Sequence, residues 1–481
     1  MTNPHRRYLP MALMLTVLAG CASPSRQDGR LAVDQLTASR LPATAAPEGA
    51  DAASVSTRVA ELAQGELSLD RALQLALINN PRLQAEFAGL GLARADLIAA
   101  SRLSNPRFAL LRKDEDGGDG RGYTRHISQG FTELLLLPAR TQMAKAEFAR
   151  TQQQIGAAVL DLAVDVEVAW YRAVAARQAL AMREAIAKAA QLSAELAQRF
   201  HAAGNLPRLE LLMEQAAATQ ARIEARRAGA DVAEARAELA ALLGLRSRMP
   251  WSLPARLPGP VSGTLDGQAL VQFAHEQRLD YAAAKAELAM REDALKLARN
   301  WRWLGEIELG VERETETDGA RFRGLEASLE LPIFQQGQAA IARAEAERDA
   351  AAARLSELEL AIDNQVDLAL ERLQMQSDVA GQYQSRLLPQ REGIVDGTQR
   401  ELNFMFKGAF ELLLVKQEQY AAYQDYLEAV RDYWVARAEL RRAVGGRLPD
   451  DGERGEPSIG VDAVLPDTDE APDDWHQHHH H

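Results

Sequence analysis

The chain has 481 residues, of which 47% are hydrophobic but only 5% are aromatic. Because much of the hydrophobic content is Ala and Leu, the composition favours long helices packed through small residues over one thick globular core. The formal net charge of −13 at pH 7 argues against a nucleic-acid partner, since binding phosphates needs a basic stripe.

The first twenty residues have the pattern of an export signal. Arg6 lies in a basic start, and residues 9–18 form an apolar stretch that is too short to span a bilayer as a helix. The single cysteine, Cys21, follows directly, and an exported chain cannot use one cysteine for an internal disulfide. Small residues before it resemble a bacterial lipobox, so we predict that residues 1–20 are removed and Cys21 is lipidated. By resemblance to other lipoproteins, Ala22 favours the outer membrane. An ordinary signal peptide beside an incidental cysteine is the alternative.

Composition divides the rest of the chain into a leader, a duplicated body and a tail. Residues 21–66 are rich in Ala, Ser, Pro and Asp, and they are predicted to form an extended, lipidated leader. Similar segments then recur at a spacing of about 198 residues. This repeat divides the body into residues 67–264 and residues 265–447. Residues 448–481 are acidic and end in histidines, and they are predicted to be disordered.

Each half is predicted to run helix, two strands, very long helix, tight turn and long return helix. No proline occurs between Pro138 and Pro207, and about 60 residues of helix would reach roughly 90 Å. A second long helix is predicted over Gln338–Leu388, ending before a proline. The return helices are predicted at Leu209–Leu243 and Glu411–Ala443. Apolar residues at three- and four-residue steps indicate coiled-coil-like packing.

The predicted strands lie at about 106–134 and 305–331. In the second pair, Ile307, Leu309 and Val311 alternate with polar residues, as in a membrane barrel with lipid outside and water inside. A soluble hairpin is the alternative, although two strands alone are marginally stable. Because four strands cannot close a conducting barrel, several copies must combine. The lumen face would carry Glu306, Glu308, Glu312, Glu326 and Glu330, which would attract cations or simply be solvated.

Four motifs, which occur in the order found in the family, resemble the TolC family of outer-membrane efflux ducts. They are an opening pattern, a strand-to-helix signature and two hairpin tips, at Leu67–Pro81, Leu329–Arg343, Phe200–Leu212 and Phe404–Leu413. The resemblance covers roughly residues 66–446. It implies a mainly α fold with a small β part, in which a trimer forms an α-helical barrel and a pooled 12-stranded transmembrane β-barrel. It also implies a periplasmic adaptor and an inner-membrane pump as partners, often of the resistance-nodulation-division class.

The same resemblance assigns roles to residues near the helical turns. The adaptor-contacting periplasmic tips would be Gly204, Asn205, Leu206, Gly408, Ala409 and Phe410. Glu210 and Glu411 are the acidic residues nearest to the positions that narrow and gate the tunnel mouth in the family. The expected second-half positions instead hold Leu414 and Gln417. Solvated helix surface is an equally good interpretation of both glutamates.

Patterns for catalysis and metal binding add little to this interpretation. His275-Glu276 lacks the second histidine of a metalloprotease motif, so an enzyme is not predicted and no cofactor is implied. His126, in a predicted strand, is interpreted as incidental. The tail, whether native or a tag, could bind divalent ions through His476, His478, His479, His480 and His481. We therefore predict a passive exit duct for metal cations or toxic compounds. A periplasmic coiled-coil adaptor or scaffold lipoprotein without a pore is the alternative.

Overall fold

The computed structural model describes residues 26–41, 52–114, 116, 119–246, 249–261, 263 and 265–448. The predicted signal peptide, Cys21 and the histidines of the tail lie outside these residues. Among the described helices, none is long and apolar enough to cross a lipid bilayer.

Helices dominate the described residues. They are α1 (Arg26–Ala38), α2 (Ala52–Leu62), α3 (Leu69–Asn79), α4 (Pro81–Ala100), α5 (Phe131–Ala202), α6 (Arg208–Leu242), α7 (Gly267–Gln277), α8 (Leu279–Asn300), α9 (Gln338–Gln382), α10 (Leu388–Asn403) and α11 (Ala409–Val444). The strands are β1 (Gly65–Glu66), β2 (Arg107–Asp114), β3 (Arg121–Gly130), β4 (Trp251–Ser252), β5 (Ile307–Thr315) and β6 (Arg321–Leu329). The short strands β1 and β4 pair in parallel, and the other four form one sheet.

The chain divides into two compact units, each assembled from several segments. The first unit contains Ala85–Gly156 and Leu279–Leu358, and therefore the four-stranded sheet. The second unit contains Ala157–Arg278 and the chain from Glu359 onward, and therefore both helical turns.

The two halves of the chain repeat the same helix pair. The pair α3–α4 begins at Leu69 and the pair α7–α8 begins at Gly267, a spacing of 267 − 69 = 198 residues. The residue between the two helices is Asn80 in the first half, with φ −67° and ψ 121°. It is Arg278 in the second half, with φ −67° and ψ 120°. In both pairs, therefore, a single residue in the same extended conformation separates the two helices.

In each half, the residue at this junction also donates a hydrogen bond to the end of the return helix. The last carbonyls of a helix have no partner within the helix. The Asn80 amide donates to the Leu242 carbonyl at 2.7 Å. At the equivalent place, the Arg278 guanidinium donates to the Ala443 carbonyl at 3.0 Å. A glycine with positive φ then ends each helix, Gly244 at 67° in the first half.

The core of the second unit contains a cluster of aromatic rings. Tyr171 stacks on Trp434, with ring centroids 5.3 Å apart. Trp170 packs edge-on to Tyr171, and its indole N–H donates to the Leu67 carbonyl at 2.9 Å. A buried tryptophan usually needs such a partner, so this hydrogen bond ties the start of the first half to α5.

The predicted extended leader is wrong for two of its segments, which form α1 and α2. Along α1 and just beyond it, the buried residues are Gly29, Val33, Thr37 and Leu41. Their four-residue spacing places them along one face of a helix. Packing of this face explains why a segment rich in Ala and Ser is helical.

The boundary between the first strand pair and its long helix also differs from the prediction. The strands were predicted to extend to Leu134, but β3 ends at Gly130 and α5 begins at Phe131. Side chains of the first helical turn explain this early start. The Thr132 hydroxyl donates to the Gly305 carbonyl at 3.1 Å, and the Glu133 carboxylate accepts from the Ser104 amide at 3.3 Å.

The second long helix does not stop before Pro389, as the sequence suggested. A π-helical turn at Tyr383–Leu387 connects α9 to α10, and Pro389 lies in the first turn of α10. The Leu388 amide donates five residues back, to the Tyr383 carbonyl. A π-helical turn widens the backbone locally, so the proline ring fits without ending the helix.

Candidate functional site

The four-stranded sheet combines one hairpin from each half of the chain. Its order is β2–β3–β5–β6, and every pair is antiparallel. The two hairpins join through β3 and β5, where Ile127 pairs with Val311. Within the described residues, β2 and β6 each pair on one side only, so the sheet has two edges that can accept further strands.

One face of this sheet is apolar and exposed to solvent. Side chains alternate between faces along a strand, and the register places residues from all four strands in shared rows. Leu325 is 91% exposed and Phe108 is 64% exposed. The exposed apolar residues of this face are Phe108, Leu110, Ile127, Leu309, Val311, Leu325 and Leu329. A contiguous apolar patch of this kind marks a surface that contacts lipid or protein.

Different residue types border this apolar face at its two ends. Toward the hairpin turns, the register aligns Arg125, Arg313 and Arg323 in one row. At the opposite end, just before β5, the exposed residues include Trp301 and Trp303. Tryptophan is enriched where a membrane protein meets the lipid headgroups, and arginine stems extend along apolar surface while the charge stays in water.

The opposite face is mainly polar, apart from Leu111 and Phe322 near the hairpin turns, and carries the five predicted glutamates. Glu308 and Glu312 lie on β5 and Glu326 lies on β6. Glu306 and Glu330 flank the strands, and the Glu330 amide donates to the Glu306 carbonyl at 2.9 Å. The register pairs even-numbered residues with even-numbered residues, so Glu308, Glu312 and Glu326 share one face, and the Glu330–Glu306 hydrogen bond continues the same pairing by one step. Arg125 and Gln129, which blurred the alternation of the first hairpin, lie on the apolar face.

Side-chain contacts link the first and second halves across the polar face. Lys113 is 2.6 Å from the carboxylate of Glu314, and the Ser128 hydroxyl donates to Glu308. His126, which was interpreted as incidental, is 3.1 Å from Glu326. The sequence could not reveal this contact, because only the strand register brings β3 of the first half close to β6 of the second.

The first helical turn lies where it was predicted. Gly204 has φ 79°, a conformation that glycine adopts at the end of a helix with little cost. The Asn205 amide donates to the Phe200 carbonyl at 2.9 Å. Leu206 is buried, and its carbonyl is 2.7 Å from His201 Nδ1. Gly204 and Asn205 therefore form the exposed part of this tip, while Leu206 packs inward.

The second turn lies a few residues earlier than the predicted Gly408-Ala409-Phe410. The exposed turn is Phe404-Met405-Phe406-Lys407, while Gly408 precedes α11 and Ala409 begins it. Met405 has φ 61° and is 92% exposed, and Phe406 is 81% exposed. Met405 therefore takes the left-handed conformation in this turn, whereas Gly408 is extended, with φ −87°.

The two predicted gating glutamates differ in their surroundings. Glu411 accepts a hydrogen bond from the Gly408 amide at 3.2 Å, so it stabilises the start of α11. Glu210 is half-buried in the first turn of α6. Both are thus placed at helix N-termini, where a carboxylate is favourable whatever its further role.

Comparison with known proteins shows what this chain resembles. Residues 72–245 match the model of the outer membrane efflux protein family. This segment of the chain is therefore similar to members of that family. The match extends from α3 to the end of α6, and it confirms the predicted resemblance. Protein CyaE of Bordetella pertussis is 32% identical over 236 residues, which cover 47% of this chain and 49% of CyaE. The match therefore spans about half the length of that relative.

Solved structures extend the likeness in fold to most of the chain. A membrane protein from Pseudomonas aeruginosa has a TM-score of 0.68 at 19% identity, covering 78% of this chain and 93% of that one. The MtrE outer membrane channel of Neisseria gonorrhoeae, in its open state, has a TM-score of 0.66 at 18% identity, covering 79% and 89%. The predicted mainly helical fold with a small sheet is confirmed.

Proposed function

We propose that this chain is one subunit of a trimeric exit duct in the outer membrane, acting passively in a tripartite efflux system. The observation that carries the proposal is the four-stranded sheet with one exposed apolar face and one charged face. This pattern is the one expected of transmembrane barrel strands, with lipid on the first face and water on the second. The fold and the family match of residues 72–245 support the same function.

The strand count requires more than one copy. Four strands cannot enclose a conducting pore, and an open sheet edge is not tolerated in the hydrocarbon of a bilayer. Pairing β6 of one copy with β2 of the next removes both edges, and three copies give a 12-stranded barrel. The lumen would then carry the predicted acidic residues, Glu306, Glu308, Glu312, Glu326 and Glu330.

The borders of the apolar face suggest how the sheet would lie in the membrane. Trp301 and Trp303 would lie at one lipid–water boundary and the row containing Arg125, Arg313 and Arg323 at the other. The turn between β5 and β6 lies beyond the arginines, and this end of the sheet would face outside the cell because the long helices α5 and α9 continue from the opposite end. Cys21, if lipidated, would anchor the chain to the periplasmic leaflet.

The helical turns provide the proposed contact with a periplasmic adaptor. Phe404, Met405 and Phe406 expose large apolar side chains at the second turn, and Gly204 and Asn205 are exposed at the first. Exposed apolar side chains at a turn are typical of protein-binding surfaces. An inner-membrane pump, of the resistance-nodulation-division class by resemblance, would then deliver cargo through the adaptor.

A planar-bilayer measurement tests the duct. We expect purified protein to migrate as a trimer and to conduct ions. Leu309→Arg, on the exposed apolar face, should prevent insertion, because arginine near the bilayer midplane costs about 2–4 kcal/mol. Leu92→Arg is the matched control, since Leu92 is 71% exposed on α4, outside the sheet. A protein that stays monomeric and never conducts would instead support the adaptor or scaffold alternative.

The cargo is proposed to be metal cations or toxic compounds, with metals preferred. An acidic lumen repeated in three copies concentrates cations, although ducts of this kind leave selection mainly to the pump. Deleting the gene should therefore sensitise cells to divalent metals more than to lipophilic drugs. Unchanged metal tolerance together with lost drug tolerance would reverse this preference.

A further inference from the structure

A histidine and two glutamates meet on the polar face of the sheet. His126 on β3 lies directly opposite Glu312 on β5. Glu326 lies on β6, and its Oε2 atom is 3.1 Å from His126 Nδ1. One possible ligand atom from each residue lies within 4.8 Å of the other two. Three neighbouring strands therefore bring one nitrogen and two carboxylate oxygens to one place.

The imidazole reaches Glu326 because Gly310 has no side chain. Gly310 pairs directly with Glu326, and it lies two residues before Glu312 on β5. A Cβ atom at this position would lie 2.7 Å from Cε1 and 3.3 Å from Nε2 of His126. The His126 ring thus occupies the space that the side chain of any other residue type at position 310 would fill. The ring lies across β5 toward β6.

The chemistry of these three side chains fits a divalent transition-metal ion. Zinc binds imidazole nitrogen and carboxylate oxygen at about 2.0–2.2 Å, which places tetrahedral ligand atoms about 3.3 Å apart. His126 and Glu326 already have nearly this separation, and rotation of the Glu312 side chain would complete the set. Three protein ligands leave a fourth position for water.

Electrostatics favours an ion over a simple histidine–glutamate pair. A histidine carries at most one positive charge, whereas a divalent cation compensates both of the carboxylates that lie close together. We propose that His126, Glu312 and Glu326 form a zinc-type divalent cation site on the polar face of each subunit. The side chain of Glu326 is half exposed, so the ion would exchange with solvent.

The neighbouring carboxylates on this face already have other partners. Glu308 accepts from the Ser128 hydroxyl, and Glu314 pairs with Lys113 at 2.6 Å. Glu308 therefore provides a matched control for Glu312. Glu308→Gln and Glu312→Gln remove the same charge from the same strand and the same face, but only Glu312 is a proposed ligand.

Calorimetric titration of the full-length protein with zinc chloride tests the site. The tail histidines would compete for zinc, so the background variant replaces them with alanine: His476, His478, His479, His480 and His481. We expect one zinc ion per chain. His126→Ala and Glu312→Gln should each weaken binding at least about tenfold, while Glu308→Gln should change it by no more than about twofold, as expected for a screened distant charge.

A second variant separates ligand geometry from charge. Gly310→Ala leaves all three ligands and the net charge intact, but its Cβ displaces the His126 ring. It should therefore also weaken zinc binding, while circular dichroism and trimer migration confirm the fold. Equal weakening by Glu308→Gln and Glu312→Gln, or no zinc binding by folded protein, would overturn the proposal. Zinc binding does not require conduction, so this result and the bilayer result are independent.

Discussion

Substituting Gly244 by alanine should destabilise the protein for two separable reasons. Gly244 has φ 67°, and a non-glycine residue in this left-handed region costs about 1–2 kcal/mol. In addition, a Cβ atom would lie 2.4 Å from the carbonyl oxygen of Asn79 and 2.8 Å from its side-chain nitrogen. Forcing extra volume into such a packed place costs about 1–3 kcal/mol more. The total is about 2–5 kcal/mol.

Gly204 offers the matched control for this prediction. Its φ of 79° is also left-handed, but a Cβ atom would meet nothing within 4 Å. Gly204→Ala should therefore show only the backbone cost of about 1–2 kcal/mol. Gly445→Ala should resemble Gly244→Ala, since its Cβ would lie 2.9 Å from Arg278 Cα.

The measurement is the unfolding midpoint of each variant by circular dichroism, at one fixed scan rate because unfolding of such a protein can be irreversible. The expected order of midpoints is wild type, then Gly204→Ala, then Gly244→Ala together with Gly445→Ala. If Gly244→Ala unfolded at the same temperature as Gly204→Ala, the close approach at the junction would contribute nothing, and the reasoning would be refuted.

Three further variants test individual side chains of the second unit. Glu167→Gln should lower the free energy of unfolding by about 3 kcal/mol, because Glu167 is buried and lies 2.5 Å from Arg441; a change within the error of denaturant titration would contradict this. Burial, and then the hydrogen bond to Glu392, raise the pKa of Tyr423. The protonated phenol therefore stabilises the fold fully below about pH 10, and this contribution is lost as the pH rises further. The midpoint advantage of wild type over Tyr423→Phe should shrink above pH 10, and an advantage that grew there would reverse the sign. Phe406→Ser should weaken adaptor capture in pull-down assays without lowering the unfolding midpoint, whereas a lowered midpoint would show that Phe406 packs within its own subunit.

Much of the fold could be predicted from the sequence because it depends on local patterns. Long segments free of proline predict α5, and strict alternation over Glu306–Glu312 predicts β5. Failures occurred where tertiary contacts override local signals. The prediction that the helix ends before Pro389 missed the π-helical turn, and the leader composition concealed a helix whose buried face includes Val33.

The candidate site shows a similar division. That the glutamates share one face follows from the two-residue period of a strand, and the structure places Glu308, Glu312 and Glu326 accordingly. The cluster around His126 could not be predicted, because it depends on which strands become neighbours and on their register. Gly310 was the available signal, since a glycine inside a regular strand indicates close approach of another group.

The duplicated junction shows which properties of a residue the fold requires. Asn80 and Arg278 occupy equivalent backbone positions with nearly the same φ and ψ, and each donates to the end of its return helix. An amide and a guanidinium differ in size and charge, so the shared requirement is a donor aimed at an unpaired carbonyl. The glycines that follow are the same in both halves, because a positive φ combined with a close neighbour permits few alternatives. At these junctions, therefore, the backbone geometry fixes the residue type at Gly244 and Gly445. The donor that contacts the helix end can differ in chemistry between the two halves.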